Sequence, residues 1–348
     1  MSHTWDEIRS QGDVWKSVLT ELQQSAVVKE ILESSTRRTK WIFVGCGTSY
    51  YLAEAAATSW TMLTGLPARA LPSSEVLLFP QLLRSEGAEA QAVAISRSGK
   101  TSETLRAAGI LQRELHIPTI GITCEANSEL AGICAQTIAL KACDEKSTVM
   151  TQSFTSMLLS LQFLAARHGG KEPFISELLD MAGRFAPKIP ALAEKIETFV
   201  VQHSFEDFVF LGQGAFHGIA REAALKVMEM SCSYSQFFHT LEFRHGPKAI
   251  VSPATCLMFF LSDSGQQAEA EVLAEMKELG GTTIAVCNRA SAAIRASADL
   301  TLELNGGSEL AWLAPYAVPG QLLGLFAGIK KGLNPDQPKN LTRVVVLD

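Results

Sequence analysis

The sequence contains an internal repeat. Three short apolar runs in the first half, at residues 41–47, 92–99 and 119–124, recur in the second half at 208–214, 258–265 and 283–288. The offsets are 167, 166 and 164 residues. Three matches in the same order, with offsets that drift by so little, indicate a duplicated domain.

The repeated runs are rich in β-branched and aromatic residues and are apolar throughout, which is typical of strands buried on both faces of a parallel sheet. Helical patterns follow the second run of each half, at 103–114 and 267–279. Alternating strands and helices predict an α/β fold with two tandem doubly wound parallel-sheet domains of the flavodoxin-like kind. We place a helical arm at residues 1–34 and the two domains at 35–175 and 190–348.

Charge and cysteine usage exclude several classes of protein. The chain has 30 Lys and Arg against 36 Asp and Glu, without a basic run, so we expect no nucleic-acid partner. The cysteines are odd in number, seven, and none form a C-x-x-C pair, which argues against a disulfide framework and a zinc site. We expect no metal.

One uncharged stretch has the length of a membrane-spanning helix. Residues 310–329 carry no charge but contain Pro315, Pro319 and three other helix-disfavouring or polar positions, which favours a buried helix over a span. The first residues lack the basic-then-apolar layout of a signal peptide. We therefore expect a cytoplasmic protein without a membrane segment.

The loop after the second run predicts a phosphate site. Residues 96–104 hold five hydroxyl side chains and a glycine directly before a helical pattern. A helix N-terminus offers free N–H groups and a positive dipole, which favour an anion, and Arg97 and Lys100 add charge. A capping turn is the alternative, but a cap needs only one hydroxyl. The nucleotide P-loop pattern is absent.

The loop after the first run contains Gly45 and Gly47 but is a poor dinucleotide fingerprint. Tyr50 stands where a third glycine is required. A tight turn that presents Thr48 and Ser49 to a polyhydroxyl ligand fits these residues better.

Three charged residues share one face of a predicted helix in the second half. Glu222, Lys226 and Glu229 follow a spacing of four and three residues. A solvated ion pair is the simpler interpretation, and a lone histidine such as His245, in the turn that follows, is more often structural. A helix carboxylate and a loop imidazole are nevertheless the groups that a proton transfer needs. His239 and His245 lack a third metal ligand.

Five motifs carry a resemblance to a known family. They are GCGTS at 45–49, ISRSGKT at 95–101, EAALKVME at 222–229, EFRHGP at 242–247 and NPDQPKNL at 334–341. In this order and spacing they resemble the double sugar-isomerase (SIS) domain family. That family includes the isomerase half of glucosamine-6-phosphate synthase (glutamine–fructose-6-phosphate aminotransferase) and the SIS-type glucosamine-6-phosphate deaminases.

The resemblance implies a hexose 6-phosphate site and a homodimer with a shared active site. Glu229 matches the base that moves a proton between C1 and C2, Lys226 matches an assisting lysine, and His245 matches a ring-opening histidine that reaches a neighbouring subunit. No cofactor is implied. The remaining matches are substrate contacts, for the phosphate and the sugar: Ser96, Arg97, Ser98, Thr101, Thr48 and Ser49.

The sequence also departs from the family. About thirty residues precede the first SIS domain, so we expect no glutaminase domain. Arg343 stands where the family has a lysine able to form an imine, and arginine cannot form one, so we count it as a non-covalent substrate contact. Residues 148–152 replace a stretch that carries a serine and a lysine in the family, so sugar specificity is expected to differ.

These observations lead to an enzyme that isomerises an amino-sugar 6-phosphate such as glucosamine 6-phosphate and releases ammonia. A ketose/aldose phosphate isomerase and a fructosamine-6-phosphate deglycase use the same groups and stay open as alternatives. A non-catalytic sugar-phosphate-binding regulator is the alternative from another class.

Overall fold

The computed structural model describes residues 2–347, apart from the side chain of Ala88. The described chain forms two compact units. The first-sheet unit comprises residues 11–145, 152–180 and 342–347, and the second-sheet unit comprises 2–10, 146–151 and 181–341. Each unit is therefore discontinuous along the chain.

Ten strands form the two sheets within this described part. They are β1 (Lys40–Gly45), β2 (Ala68–Pro72), β3 (Ala90–Ile95), β4 (Thr119–Thr123), β5 (Gln136–Ala139), β6 (Asp207–Gly212), β7 (Tyr234–Phe238), β8 (Thr255–Phe260), β9 (Thr282–Cys287) and β10 (Leu300–Glu303). The sheet orders are β2-β1-β3-β4-β5 and β10-β9-β8-β6-β7, with every pairing parallel. Read from the opposite edge, the second order repeats the first.

Fourteen α-helices flank these strands in residues 2–347. They are α1 (His3–Arg9), α2 (Gln11–Gln24), α3 (Ala26–Ser35), α4 (Thr48–Thr64), α5 (Ser73–Leu78), α6 (Ser102–Gly109), α7 (Glu129–Ile133), α8 (Gln152–His168), α9 (Glu172–Phe185), α10 (Ile189–Gln202), α11 (Ala215–Ser231), α12 (Gln266–Glu278), α13 (Ala292–Ser297) and α14 (Leu313–Lys330). The predicted architecture of two doubly wound parallel sheets is confirmed.

The predicted strands are the central strands of the two sheets. All residues of β3, β4 and β8 are buried, and β1, β6 and β9 are buried except at their first residue. Burial on both faces explains why the sequence of these strands is apolar without alternation.

The strand order places two loops at one point in each sheet. In the first sheet β1 lies between β2 and β3, so the chain leaves β1 toward one edge and later continues from β3 toward the other. Loops at the carboxyl ends of two such strands meet in a crevice, which is where ligands bind in open α/β sheets. Strands β6 and β8 have the same relation in the second sheet.

The predicted N-terminal arm is helical, but its three helices belong to different units. Helix α1 belongs to the second-sheet unit, where the Asp336 carboxylate accepts hydrogen bonds from the amides of His3 and Thr4 at 2.9 and 2.8 Å. Helices α2 and α3 belong to the first-sheet unit, where the Trp15 indole donates to Thr155 at 2.8 Å. The domain boundaries expected at 35–175 and 190–348 stay a prediction.

Helix α14, which contains most of the uncharged stretch of the sequence, packs closely against α11. A Cβ atom at Gly324 would lie 2.7 Å from the Lys226 carbonyl oxygen, and one at Gly328 would lie 2.3 Å from that of Met230. The two backbones approach this closely only because glycine has no side chain. No helix in residues 2–347 is long and apolar enough to cross a membrane.

Candidate functional site

Paired glycines shape the turn from β1 to α4. A Cβ at Gly45 would lie 2.7 Å from the Ser49 backbone, and Gly47 has φ +53°. This left-handed conformation is inexpensive only for glycine. The turn makes Thr48 and Ser49 the first residues of α4, where both are buried.

The second-sheet unit repeats this turn between β6 and α11. A Cβ at Gly212 would lie 2.4 Å from the Phe216 carbonyl oxygen, and Gly214 has φ +56°. His217 follows in the first turn of α11. The duplicated geometry agrees with the repeat seen in the sequence.

The loop between β3 and α6 is a hydroxyl-rich turn. The Ser96 hydroxyl accepts a hydrogen bond from the Gly99 amide at 3.1 Å and lies 3.1 Å from the Thr101 hydroxyl. Gly99 has φ +61°, and a Cβ there would collide with Ser128 at 2.3 Å. The Ser98 hydroxyl accepts from the Lys100 amide at 3.2 Å. The loop thus presents hydroxyls at the start of α6, where an anion is stabilised.

The guanidinium of Arg97 lies inside the unit. Its Nη1 atom is 3.2 Å from the Glu145 carboxylate, which also accepts a hydrogen bond from the Ser153 amide at 3.1 Å. The other terminal nitrogen, Nη2, donates to the Arg343 carbonyl oxygen at 3.0 Å. Arg97 stays a predicted substrate contact, while its side chain in this structure holds the loop to two other segments.

The last described residues lie along the first turn of α6. The Ser102 amide donates to the Val345 carbonyl oxygen at 3.3 Å, and the Leu347 amide donates to the Ser102 hydroxyl at 2.9 Å. The Arg343 guanidinium is exposed and lies 2.5 Å from the Asp144 carboxylate. The tail that carries Arg343 therefore lies beside the predicted phosphate loop.

Helix α11 holds a buried cation between two carboxylates. Lys226 is fully buried, and its Nζ lies 3.3 Å from Glu222 and 2.5 Å from Glu229. Burial opposes the charge on this lysine, but the two carboxylates outweigh it and raise the pKa of Lys226. Glu222 is buried, whereas the Glu229 side chain is 17% exposed. Glu229 is thus the more exposed of the two glutamates, and its side chain is held in place by a buried cation.

His245 lies on an anchored turn. Arg244 and Lys248 both pair with Glu275 of α12, at 2.7 and 2.6 Å. Gly246 has φ +123°, which favours glycine in the turn. The exposed His245 imidazole forms no hydrogen bond to another residue in the described range 2–347. It is free to contact a ligand.

The sequence did not predict that two histidines, His217 and His239, pack against each other. The rings of His217 and His239 stack with centroids 3.8 Å apart, and the Arg221 guanidinium lies 4.6 Å from the Phe237 ring beside them. Burial, helped by His239 and Arg221, lowers the pKa of His217 to about 4. His217 occupies the turn that repeats the Thr48–Ser49 turn, which was the available signal.

The predicted residues fall into one set in each unit. The first-sheet unit brings together the loops of Thr48 and Ser96 and the tail of Arg343, and the second-sheet unit carries the α11 carboxylates and the His245 turn. The described residues contain no group of three or more His, Cys, Asp or Glu side chains suited to a metal ion. The individual roles stay predictions.

Comparison with known proteins identifies the family. The SIS domain model matches residues 36–167 and 206–322. A glutamine–fructose-6-phosphate aminotransferase from Pyrobaculum aerophilum is 28% identical over 315 residues, which is 88% of this chain and 51% of the relative. The chain thus spans about half the length of the aminotransferases that it matches.

Two other relatives match over nearly their whole length. A Streptomyces coelicolor protein provisionally named D-galactosamine-6-phosphate deaminase is 27% identical, with 97% of this chain and 91% of the relative covered. The crystal structure of a glucosamine-6-phosphate deaminase from Thermotoga maritima superposes with a TM-score of 0.81 at 30% identity, covering 99% of this chain and 100% of that one. Both SIS segments lie on the two sheets described above, and the chain belongs to the SIS domain family.

Proposed function

We propose that this protein is a phosphosugar isomerase of the deaminating kind, acting on an amino-sugar 6-phosphate such as glucosamine 6-phosphate. The observation that carries the proposal is the partly exposed Glu229 side chain beside the buried Lys226 cation. The contact with the buried lysine holds this carboxylate in a fixed position, as a general base requires. The names of the two deaminases among the relatives support the amino-sugar substrate.

The phosphate is assigned to the loop between β3 and α6. Ser96, Ser98 and Thr101 offer hydroxyls there, and the start of α6 adds main-chain amides and a favourable dipole. Thr48 and Ser49, at the matching loop after β1, are the proposed sugar contacts. Arg97 is proposed to act on the phosphate through the position that it imposes on this loop, since its side chain contacts Glu145.

The reaction needs one proton transfer along the sugar chain. His245 assists opening of the ring, and Glu229 removes the proton from C2 of the open aldose, which gives an enolamine. The proton held by Glu229 exchanges with solvent, and delivery of a proton from this carboxyl group to C1 produces an imine at C2. Water then adds to the imine and expels ammonia. The products are fructose 6-phosphate and ammonia. Because the imine nitrogen comes from the substrate, no lysine adduct is required, which is compatible with arginine at position 343.

The test measures ammonia and fructose 6-phosphate released from glucosamine 6-phosphate in deuterated water. We expect equal amounts of the two products and one deuterium at C1, all lost in E229Q. E271Q, which changes an exposed carboxylate on α12, is the matched control and keeps full activity.

The other outcomes separate the alternatives. Isomerisation of ketose phosphates without ammonia release would favour a ketose/aldose isomerase, and release of free amine from a fructosamine 6-phosphate would favour a deglycase. Tight phosphosugar binding without any proton exchange would favour a regulator and contradict the enzyme.

We also propose a homodimer, because the family resemblance assigns His245 to the active site of a neighbouring subunit. Mixed dimers of E229Q and H245N then regain about a quarter to a half of the wild-type activity, since each contains an intact pair of groups. If the mixture of the two variants is no more active than the two variants measured separately, the shared site is contradicted.

A further inference from the structure

The second-sheet unit contains a counterpart of the phosphate loop. Residues 262–265 follow β8 as residues 96–99 follow β3, and both loops begin a helix. The Gly265 amide donates to the Ser262 hydroxyl at 2.9 Å, as the Gly99 amide donates to the Ser96 hydroxyl at 3.1 Å. The two loops therefore share their strand position and their internal hydrogen bond.

The carboxylate of Glu309 occupies the second loop. The amides of Asp263 and Ser264 donate to its Oε2 atom at 2.5 and 3.2 Å, and the Ser264 hydroxyl donates to Oε1 at 2.6 Å. Two main-chain amides and a hydroxyl around one charged group form the donor set of an anion site. Glu309 comes from the segment before α14, 45 residues from Ser264 along the chain.

Within residues 2–347 the first loop holds no such internal anion. Ser98, which corresponds to Ser264, donates to no carboxylate in residues 2–347, and its hydroxyl accepts from the Lys100 amide. The charge of the loop also differs, because Arg97 is matched by Asp263. Asp263 accepts a hydrogen bond from the Asn288 amide group at 2.9 Å. The second loop thus tolerates a single carboxylate better than a doubly charged phosphate.

A buried oxygen without a hydrogen-bond partner faces the same loop. Glu269 is 1% exposed, and its Oε2 accepts from the Ser262 amide and hydroxyl at 2.7 and 3.1 Å. Within the described chain its Oε1 has no partner, and this atom lies 3.4 Å from where a Cβ at Gly265 would stand. Burial raises the pKa of Glu269 to about 7. Burial thus favours the neutral form of the Glu269 carboxyl group, which can donate a hydrogen bond.

We propose that residues 262–265 form an anion site that Glu309 occupies as an internal ligand and that a small monocarboxylate fills when the Glu309 side chain is removed. In the intact protein the tethered Glu309 has a high effective concentration at the loop, so an external carboxylate competes poorly. The protein then has one loop open to a substrate anion and one that its own side chain closes.

The experiment compares wild type and E309A by amide NMR and thermal unfolding, with sodium formate as the probe and sodium chloride at the same ionic strength as the reference. We expect the Asp263 and Ser264 amide protons to move upfield in E309A and to return as formate is added, with half-saturation on the order of 10 mM. Formate raises the Tm of E309A by several degrees and leaves that of the wild type unchanged. E271A, on the exposed face of α12, does not respond.

Two results would overturn the proposal. One is an E309A protein whose Asp263 and Ser264 amides keep their wild-type shifts, and the other is a formate response equal in wild type and E309A. If E309A does not fold, E309Q keeps the side-chain shape without the charge and must still show the upfield amide shifts. Formate is no sugar phosphate and no turnover is measured, so the result is independent of the proposed enzyme activity.

Discussion

The guanidinium of Arg97 lies 3.2 Å from the Glu145 carboxylate, and the two side chains are only 5% and 0% exposed. The same guanidinium donates to the Arg343 carbonyl oxygen. Arg97 therefore connects the predicted phosphate loop, the segment around Glu145 and the carboxy-terminal tail through one buried cation.

Removal of the Arg97 cation alone is expected to destabilise the protein. R97M removes the guanidinium that pairs with the buried Glu145 carboxylate and lowers the free energy of unfolding by about 3–5 kcal/mol. The double variant R97M/E145Q recovers much of that loss because the uncompensated charge is gone. Urea denaturation of the wild type, the two variants and E145Q completes a double-mutant cycle. Equal free energies of unfolding for R97M and R97M/E145Q would contradict the coupling between Arg97 and Glu145.

Lys226 is expected to support proton transfer by Glu229. K226M removes the positive charge 2.5 Å from that carboxylate and the contact that holds it in place, so we expect kcat to fall by about tenfold or more. K226R, which keeps the charge, loses less activity. An unchanged kcat in K226M would show that the lysine has no part in the reaction.

The two matching serines provide a paired test of the phosphate loop. S98A removes a hydroxyl from the open loop, and we expect KM for the sugar phosphate to rise about tenfold, with little change in kcat or Tm. S264A removes the corresponding hydroxyl from the closed loop, where it donates to Glu309 at 2.6 Å. It lowers Tm and leaves KM unchanged. Steady-state kinetics and thermal unfolding of both variants check the contrast.

Because of His217, we expect the protein to lose stability in acid. Its pKa is lowered to about 4 by burial and by the neighbouring His239 and Arg221, so the unfolded chain binds a proton first as the pH falls. The free energy of unfolding therefore keeps its full value above the ordinary histidine pKa and falls as the pH is lowered from about 6.5 to 4. The expected loss is about 1–2 kcal/mol, since the partly exposed ring is screened by solvent. H217Q removes this part of the pH dependence in urea denaturation, and a slope equal to that of the wild type would contradict it.

The sequence determined the strands that are buried on both faces. The runs at 41–47, 92–99 and 119–124 and their repeats overlap the central strands β1, β3, β4, β6, β8 and β9, because a strand buried on both faces is mostly apolar. The edge strands β2, β5, β7 and β10 were not predicted. They are only partly buried, and their mixed composition, as in Ala68–Pro72, resembles that of loops.

The glycine turns and the hydroxyl-rich loop were also visible in the sequence, because local backbone geometry restricts which residues fit there. The tertiary structure decided which partners their polar groups have. Arg97 and Arg343 meet across 246 positions of the chain, and Ser264 and Glu309 across 45. Such contacts depend on how the strands and helices pack, which no local pattern of residues specifies. The repeat therefore revealed two equivalent loops, and only the fold showed that a glutamate occupies one of them.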